Sequence, residues 1–185
     1  MNFSKIHRKI APILLIPLLL TAVSGLAYRL GRSWFGLDDE FGELMMSLHE
    51  GRFLGDGLVP FYVLLMGLGL LGLLITGLVV FRKRRALSRN HPTQNWRRYH
   101  YMVALAAALP LLISLLTGIA YRLGVNWFGV SEESAEILLV IHQGAYLGSA
   151  LKPFYVLGLG LSLLALIITG LQMLGVLRQW PSFSR

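Results

Sequence analysis

Long apolar stretches separated by short polar segments dominate the chain. Four of them, at 10–28, 58–81, 102–121 and 154–177, contain no Asp, Glu, Lys or Arg. Each is close to the ~20 residues that an α-helix needs to cross a bilayer. Such runs are too long for barrel strands, and a helix satisfies its own backbone hydrogen bonds in lipid. The pattern predicts an all-α integral membrane protein with four transmembrane helices.

The chain also contains an internal repeat. Residues 7–81 align without a gap on residues 100–174, and about 35 of the 75 positions are identical. The segment from Tyr28 to Gly36, for example, returns as the segment from Tyr121 to Gly129. Each half contains two spans, so both halves enter the membrane in the same orientation. The fold is therefore predicted as two tandem parallel two-helix repeats, related by an axis along the membrane normal.

Both repeats are expected to share one plan within a single membrane domain. Repeat 1, at 1–81, has spans at about 8–28 and 58–81 and a short outer interfacial helix at about 43–55. A basic linker at 82–98 leads to repeat 2, at 99–178, with spans at about 100–121 and 153–177 and an outer helix at about 133–148. A continuous helix from His49 to Gly77 would be about 42 Å long, which exceeds the ~30 Å hydrocarbon core. Either the chain breaks near residues 55–57, or His49 lies at the membrane surface.

The charge distribution predicts the orientation. The net charge is +8, yet all nine acidic residues lie in the two segments 37–57 and 130–152, whereas both ends and the middle carry only bases. By the positive-inside rule, both termini and the linker face the cytoplasm. We expect a multi-pass protein of a bacterial inner membrane or a thylakoid membrane. The basic run 82–85 then lies beside anionic lipid headgroups, so the bilayer, and not nucleic acid, is the expected partner.

Four of the five histidines form two repeat-related pairs, His7 with His100 and His49 with His142. The topology places the first pair at the inner ends of the spans and the second pair on the outer side. A two-fold axis would bring each histidine opposite its counterpart, which is the arrangement that a bis-histidine haem b needs. The chain has no cysteine, which excludes covalent c-type haem and cysteine-ligated iron–sulfur clusters. We expect haem b, with two haems if both pairs bind and one if a single pair does.

Glycines and arginines accompany these histidines. Gly25 and Gly118 are expected at the depth of the outer pair, and Gly77 and Gly170 at the depth of the inner pair, where they leave room for a porphyrin. Close helix packing explains the same glycines equally well. The remaining candidates are Arg29 and Arg122, which are placed to pair with propionates of the outer haem.

Three segments of the first repeat resemble the PepSY-associated transmembrane family: Ile6-His7-Arg8-Lys9 with Thr21 to Gly25, Leu48 to Gly55 with its histidine and glycines, and Leu73 to Leu78. The resemblance covers 6–81 and, more loosely, 99–174. It implies a membrane haem b protein whose relatives reduce ferric siderophores at the outer face. The large extracytoplasmic PepSY insert of that family is missing here, and Tyr101 and Met102 replace the bases that follow His7.

The sequence therefore predicts a membrane cytochrome b that carries electrons across the bilayer, either as an electron-transfer protein or as part of a membrane oxidoreductase. Its donor and acceptor stay open, with a quinol, a reductase or a ferric chelate as the classes considered. A homo-oligomer or a larger membrane complex is compatible with the pattern. The alternative function is a non-redox accessory subunit of such a complex. A transporter is disfavoured because no charged residue lies within any span.

Overall fold

The computed structural model describes residues 2–87 and 95–174, and within these ranges every regular element is helical. The middle of the expected linker, including His91, lies outside the described residues, as do residues 175–177 of the expected fourth span. Six α-helices are described: α1 Phe3–Trp34, α2 Asp39–Glu50, α3 Val59–Leu87, α4 Asn95–Phe128, α5 Glu132–His142 and α6 Lys152–Leu174. Four helical segments, which comprise α1, most of α3 and α4, and α6, are long and apolar enough to cross a membrane, as the sequence predicts.

Polar caps begin the two short helices, and left-handed glycines follow the residues that end them. The side chain of Asp38 accepts a hydrogen bond from the Phe41 amide at the start of α2, and Ser131 does the same for the Ser134 amide at the start of α5. Such caps satisfy amides that have no partner inside the helix. Gly51 and Gly144 then adopt positive φ angles of 79° and 67°, which only glycine adopts at little cost. The chain therefore turns directly after each outer histidine.

The outer helices differ from their expected bounds for this reason. The helix expected at 43–55 is α2, Asp39–Glu50, and short 3₁₀ turns at Arg52–Leu54 and Asp56–Leu58 follow it. The helix expected at 133–148 is α5, Glu132–His142, followed by a 3₁₀ turn at Ala145–Leu147. The helix is thus interrupted between His49 and α3, which is one of the two alternatives given above. The interruption begins at Gly51 and not at 55–57.

The four long helices form a bundle in which repeat-related helices are diagonal. Helix α1 packs against α3 and α6, and α4 packs against the same two helices. Helices α1 and α4 therefore face each other across the bundle axis. We call the end with His7 and His100 the inner end and the end with α2 and α5 the outer end, following the charge-based orientation. Helix α2 lies against α1 and α5 lies against α4, so each repeat covers its own outer end.

Aromatic pairs join the repeats at the outer end. The Trp34 ring lies 5.3 Å from that of Phe154, and Phe61 lies 5.2 Å from Trp127, so each contact links one repeat to the other. Aromatic residues are favoured at the level of the lipid headgroups, where their rings meet both apolar and polar surroundings. The two contacts are related by the repeat, which keeps the outer end symmetric.

The bundle interior is narrow and apolar. Leu18 and Leu111, from the diagonal helices, and Leu163 from α6 are buried, while Leu70 of α3 stands at the equivalent position of the first repeat and is partly buried. Side chains on the opposite helix faces are open, and Ile13 and Ile16 are each 75% exposed. In a membrane such faces meet lipid, so the helices are held together by close packing of the inner layer.

Candidate functional site

The inner histidines face each other across the bundle axis. His7 extends from α1 and His100 from α4, and their ring centroids are 6.4 Å apart with an angle of 84° between the ring planes. No helix lies between them, because α1 and α4 are diagonal. The structure therefore brings together the two residues that the repeat pairs in sequence.

Buried threonines hold the inner rings in one tautomer. Nδ1 of His7 lies 2.9 Å from the Thr76 hydroxyl, and Nδ1 of His100 lies 2.8 Å from that of Thr169. The Thr76 hydroxyl donates a hydrogen bond to the Gly72 carbonyl at 2.6 Å, so its oxygen accepts a hydrogen bond from the imidazole. Thr169 does the same toward Ala165. Nδ1 therefore carries the proton in both rings, and Nε2 keeps a lone pair for a metal.

The outer pair repeats this arrangement with backbone acceptors. The ring centroids of His49 and His142 are 6.5 Å apart, with an interplanar angle of 69°. Nδ1 of His49 lies 2.9 Å from the Thr21 carbonyl oxygen, and Nδ1 of His142 lies 2.6 Å from that of Ser114. A carbonyl oxygen only accepts, so both Nδ1 atoms are protonated. Each outer histidine is thereby fixed to the long helix of its own repeat.

Both outer imidazoles are held in the neutral form. Burial lowers the pKa of His49, the hydrogen bond to the Thr21 carbonyl opposes this effect, and the positive charge of Arg122 adds to it. Burial also lowers the pKa of His142 to about 4, against an ordinary value of 6.5. The Ser114 carbonyl and the Glu50 carboxylate oppose this shift, while His49 strengthens it. A neutral imidazole is the form that binds a metal, so the outer pair is ready to ligate at neutral pH.

The four candidate glycines border the histidine rings. A Cβ on Gly25 would lie 2.9 Å from Cε1 of His49, and a Cβ on Gly118 would lie 2.9 Å from Cε1 of His142. At the inner end the contacts are looser, with 3.5 Å from Gly77 to His7 and 3.8 Å from Gly170 to His100. The predicted depths agree with these contacts. The space that the outer glycines provide is taken by the imidazoles themselves, a role that the sequence analysis did not assign to them.

A cavity adjoins each histidine pair. The outer cavity, of about 260 Å³, is bordered by both outer histidines, by Gly25 and Gly118 and by the four core leucines 18, 70, 111 and 163. The inner cavity, of about 210 Å³, is bordered by both inner histidines and by Gly77 and Gly170. The leucines stand between the two histidine levels along every long helix. The bundle thus contains two similar sites separated by an apolar layer.

The arginines bind across the repeats. Arg122 pairs with Glu50, the residue after His49, and Arg29 donates to the Gln143 side chain, the residue after His142, at 2.6 Å. Arg122 thus has a carboxylate partner and Arg29 a neutral one, while the pairing of either arginine with a propionate stays a prediction. Both arginines do border the outer cavity.

The sequence did not predict two kinds of site residue, the backbone acceptors of the outer histidines and the side-chain partners of the arginines. The carbonyls of Thr21 and Ser114 hold the outer histidines, but backbone groups leave no mark on residue identity. Glu50 and Gln143 differ between the repeats, and that difference was visible in the alignment. Among the described residues no group of three or more His, Cys, Asp or Glu is placed to hold a metal ion together.

The chain matches the family described as PepSY-associated TM region over residues 30–134, which is more than half of its length. The matched segment includes the end of α1, helix α2 with His49, all of α3 and α4 with His100, and the start of α5, whereas His7 and His142 lie outside it. No curated protein and no solved structure matches the chain. With four membrane-spanning helices and this match, the chain belongs to the PepSY-associated TM family.

Proposed function

We propose that this membrane protein is a b-type cytochrome that carries electrons across the bilayer. One haem would be held by His7 and His100 at the inner end and a second by His49 and His142 at the outer end. A membrane reductase, for a ferric chelate or another acceptor at the outer face, is the activity that this arrangement favours.

The distance between the rings is the observation that carries the proposal. Two imidazoles that bind one metal on opposite sides, with bonds of about 2 Å, place their ring centroids about 6 Å apart. The two pairs have centroid separations of 6.4 Å and 6.5 Å. Packing alone does not require two histidine pairs on different elements to share this separation.

The side chains around each pair suit a haem rather than a bare ion. In the part of the chain that the structure describes, each site presents a pair of imidazoles, and these would hold a haem iron. Nδ1 of every ring is engaged, so Nε2 is the nitrogen that remains for the iron. The cavities between the diagonal helices are bordered mainly by apolar residues, as the faces of a porphyrin require.

Haem, when bound, supplies a one-electron couple at each level. The residues of this chain do the rest. Thr76 and Thr169 fix the orientation of the inner imidazoles, and the Thr21 and Ser114 carbonyls fix the outer ones. The leucine layer excludes water between the two levels. Along α1, His7 and Thr21 are 14 residues apart, so the two levels are separated by about 20 Å of apolar bundle.

The charge pattern supports the orientation. The inner end carries Lys5, Arg8 and Lys9 together with Arg97 and Arg98, and no acidic residue occurs in the sequence of its helix ends. The acidic residues lie on α2 and its cap Asp38, on α5 and on the turns that follow α2. Under the positive-inside rule the termini are cytoplasmic, and electrons supplied from the cytoplasmic side would leave at the outer face.

The first experiment is a reduced-minus-oxidised visible spectrum of the detergent-purified protein, with a pyridine haemochrome assay for stoichiometry. We expect sharp low-spin b-type bands and about two haems per chain. Each single substitution His7→Ala, His100→Ala, His49→Ala or His142→Ala should remove one haem and leave the other. A change in His91 should leave both, since it has no repeat counterpart.

A colourless protein that also takes up no added haem would refute the cytochrome and favour a non-redox accessory subunit. A stoichiometry of one would restrict haem to a single level, and the four histidine variants would identify it.

A further inference from the structure

The outer end contains five basic residues, and the structure divides them into two groups. Arg32 pairs with Asp39 at 2.6 Å, Arg52 pairs with Glu43 at 3.0 Å, and Arg122 pairs with Glu50. Arg29 and Lys152 form no ion pair with the carboxylates of the described residues, which include every Asp and Glu of the chain. These two positive charges are therefore without a directly paired carboxylate.

Arg29 is the more enclosed of these two. Its terminal Nη2 donates to the neutral Gln143 side chain at 2.6 Å, while its Nε is buried and has no hydrogen-bond partner among the described residues. A buried N–H donor without an acceptor is costly unless an acceptor binds it. Arg29 also borders the outer cavity, beside the His142 segment.

The repeat shows what is missing. Arg29 is equivalent to Arg122, and Gln143 is equivalent to Glu50, so the second repeat supplies an amide where the first supplies a carboxylate. Lys152 takes the place of Val59, so the second repeat carries a positive side chain where the first has an apolar one. Relative to its symmetry mate, the Arg29 side thus lacks a negative charge and gains a positive one.

We propose that Arg29 is the centre of a carboxylate-binding site at the outer mouth of the bundle, where Lys152 at the start of α6 adds a second positive charge. A carboxylate reaches this position from either of two sources, a propionate of the outer haem or an acidic group of an anionic electron acceptor. The planar guanidinium offers paired N–H donors that match the two oxygens of a carboxylate. This inference rests on the proposed cytochrome function and assigns to Arg29 a role that Arg122, already paired, does not share.

The substitution Gln143→Glu tests the site because it supplies the missing carboxylate from the protein itself. The equivalent contact between Arg122 and Glu50 already pairs an arginine with a glutamate, so the substituted pair should fold. Ser149→Asp is the matched control, since it adds the same charge on the exposed segment after α5, where the first repeat has Asp56. Both variants and the wild type are prepared without haem and titrated with haem b and with haem b dimethyl ester, which has no carboxylates.

If the site holds a propionate, Gln143→Glu should weaken haem b binding at the outer site by about tenfold or more. Binding of the dimethyl ester should be unchanged, and Ser149→Asp should leave both affinities unchanged. If the site holds an acceptor, both haem affinities should be unchanged in Gln143→Glu. The KM for anionic ferric citrate should then rise by a similar factor, while oxidation by cationic hexaammineruthenium(III) should not slow.

Unchanged affinities together with an unchanged KM for ferric citrate would overturn the carboxylate site and leave the cytochrome intact. Equal effects of Gln143→Glu and Ser149→Asp would also overturn it, because general charge repulsion explains them. A wild-type protein that binds neither haem would overturn the cytochrome itself, and the wild-type titration reveals this before any variant is compared.

Discussion

The Nδ1 atom of His7 lies 2.9 Å from the hydroxyl oxygen of Thr76, although the two residues are 69 positions apart in the chain. The same separation in sequence joins His100 to Thr169, with a distance of 2.8 Å. Each threonine hydroxyl donates a hydrogen bond to a helix carbonyl one turn earlier. The inner imidazoles are therefore oriented by the neighbouring helix of the same repeat.

Replacing Thr76 by Val should weaken the inner haem site. The valine methyl group fills the space of the hydroxyl but accepts no hydrogen bond. The His7 ring therefore loses its fixed tautomer and orientation. Loss of such a supporting hydrogen bond typically costs 10–100-fold in metal affinity. Titration of the haem-free protein with haem b, followed by the α-band of each site, measures the effect.

Thr76→Ser is the control, because it keeps the hydroxyl and should retain most of the affinity. Thr169→Val should behave like Thr76→Val, since the two sites are repeat-related. An inner-site affinity that is the same in Thr76→Val and Thr76→Ser would show that the hydrogen bond has no part in ligation.

Replacing Gly25 by Ala should displace the outer imidazole. The new methyl carbon would lie 2.9 Å from the His49 ring, which is closer than van der Waals contact allows. His49 is also fixed to the Thr21 carbonyl on the same helix, so the ring cannot retreat without losing that bond. We expect the haem content to fall from about two to about one per chain, measured as pyridine haemochrome, with the inner haem retained.

The other glycines provide a graded control. Gly77→Ala places a methyl group at 3.5 Å from His7, an ordinary contact, and should leave the inner haem in place. Gly72→Ala meets no atom within 4 Å and should change neither site. If Gly25→Ala retained both haems, the close approach would have no functional importance.

The sequence predicted more of the fold than of the site. Apolar runs and the repeat were sufficient for the four spans, because burial in lipid demands long helices of apolar residues. The histidine pairs followed from the same repeat. The end of α2 at Gly51 was missed because a left-handed glycine was less conspicuous than Gly55-Asp56-Gly57. The partners of Arg29 and Arg122 were missed because contacts between repeats depend on the arrangement of the helices in space. An alignment of the two repeats carries no information about that arrangement.

Leu18 should contribute strongly to the stability of the bundle. It is 5% exposed and lies in the layer between the two cavities. Leu18→Ala removes a buried side chain and leaves a void, which costs about 2–5 kcal/mol in well-packed interiors. Ile16→Ala, on the same helix but 75% exposed, should have little effect. Thermal unfolding of the haem-free proteins in the same detergent compares them, and equal losses would place Leu18 outside the packed core.

The haem-free protein should lose stability as the pH falls below 6.5. In the folded state the pKa of His142 is held at about 4, whereas the exposed imidazole has its ordinary value of 6.5. Between these values the unfolded state binds a proton that the folded state does not, so protonation favours unfolding. The free energy of unfolding should be flat above about pH 7 and fall by up to about 3 kcal/mol by pH 4. His49, whose pKa is also lowered, adds to the same slope.

Denaturant unfolding in detergent at a series of pH values measures this slope, and His142→Asn separates its origin. The variant is expected to be less stable at every pH, because asparagine packs and bonds differently, so the comparison concerns the slope and not the absolute value. With the His142 titration removed, the loss between pH 6.5 and 4 should shrink and leave the part that comes from His49 and the protein's other titratable groups. An identical slope in both proteins would contradict the lowered pKa of His142. It would mean that this imidazole is solvated and takes up a proton near its ordinary pKa of 6.5.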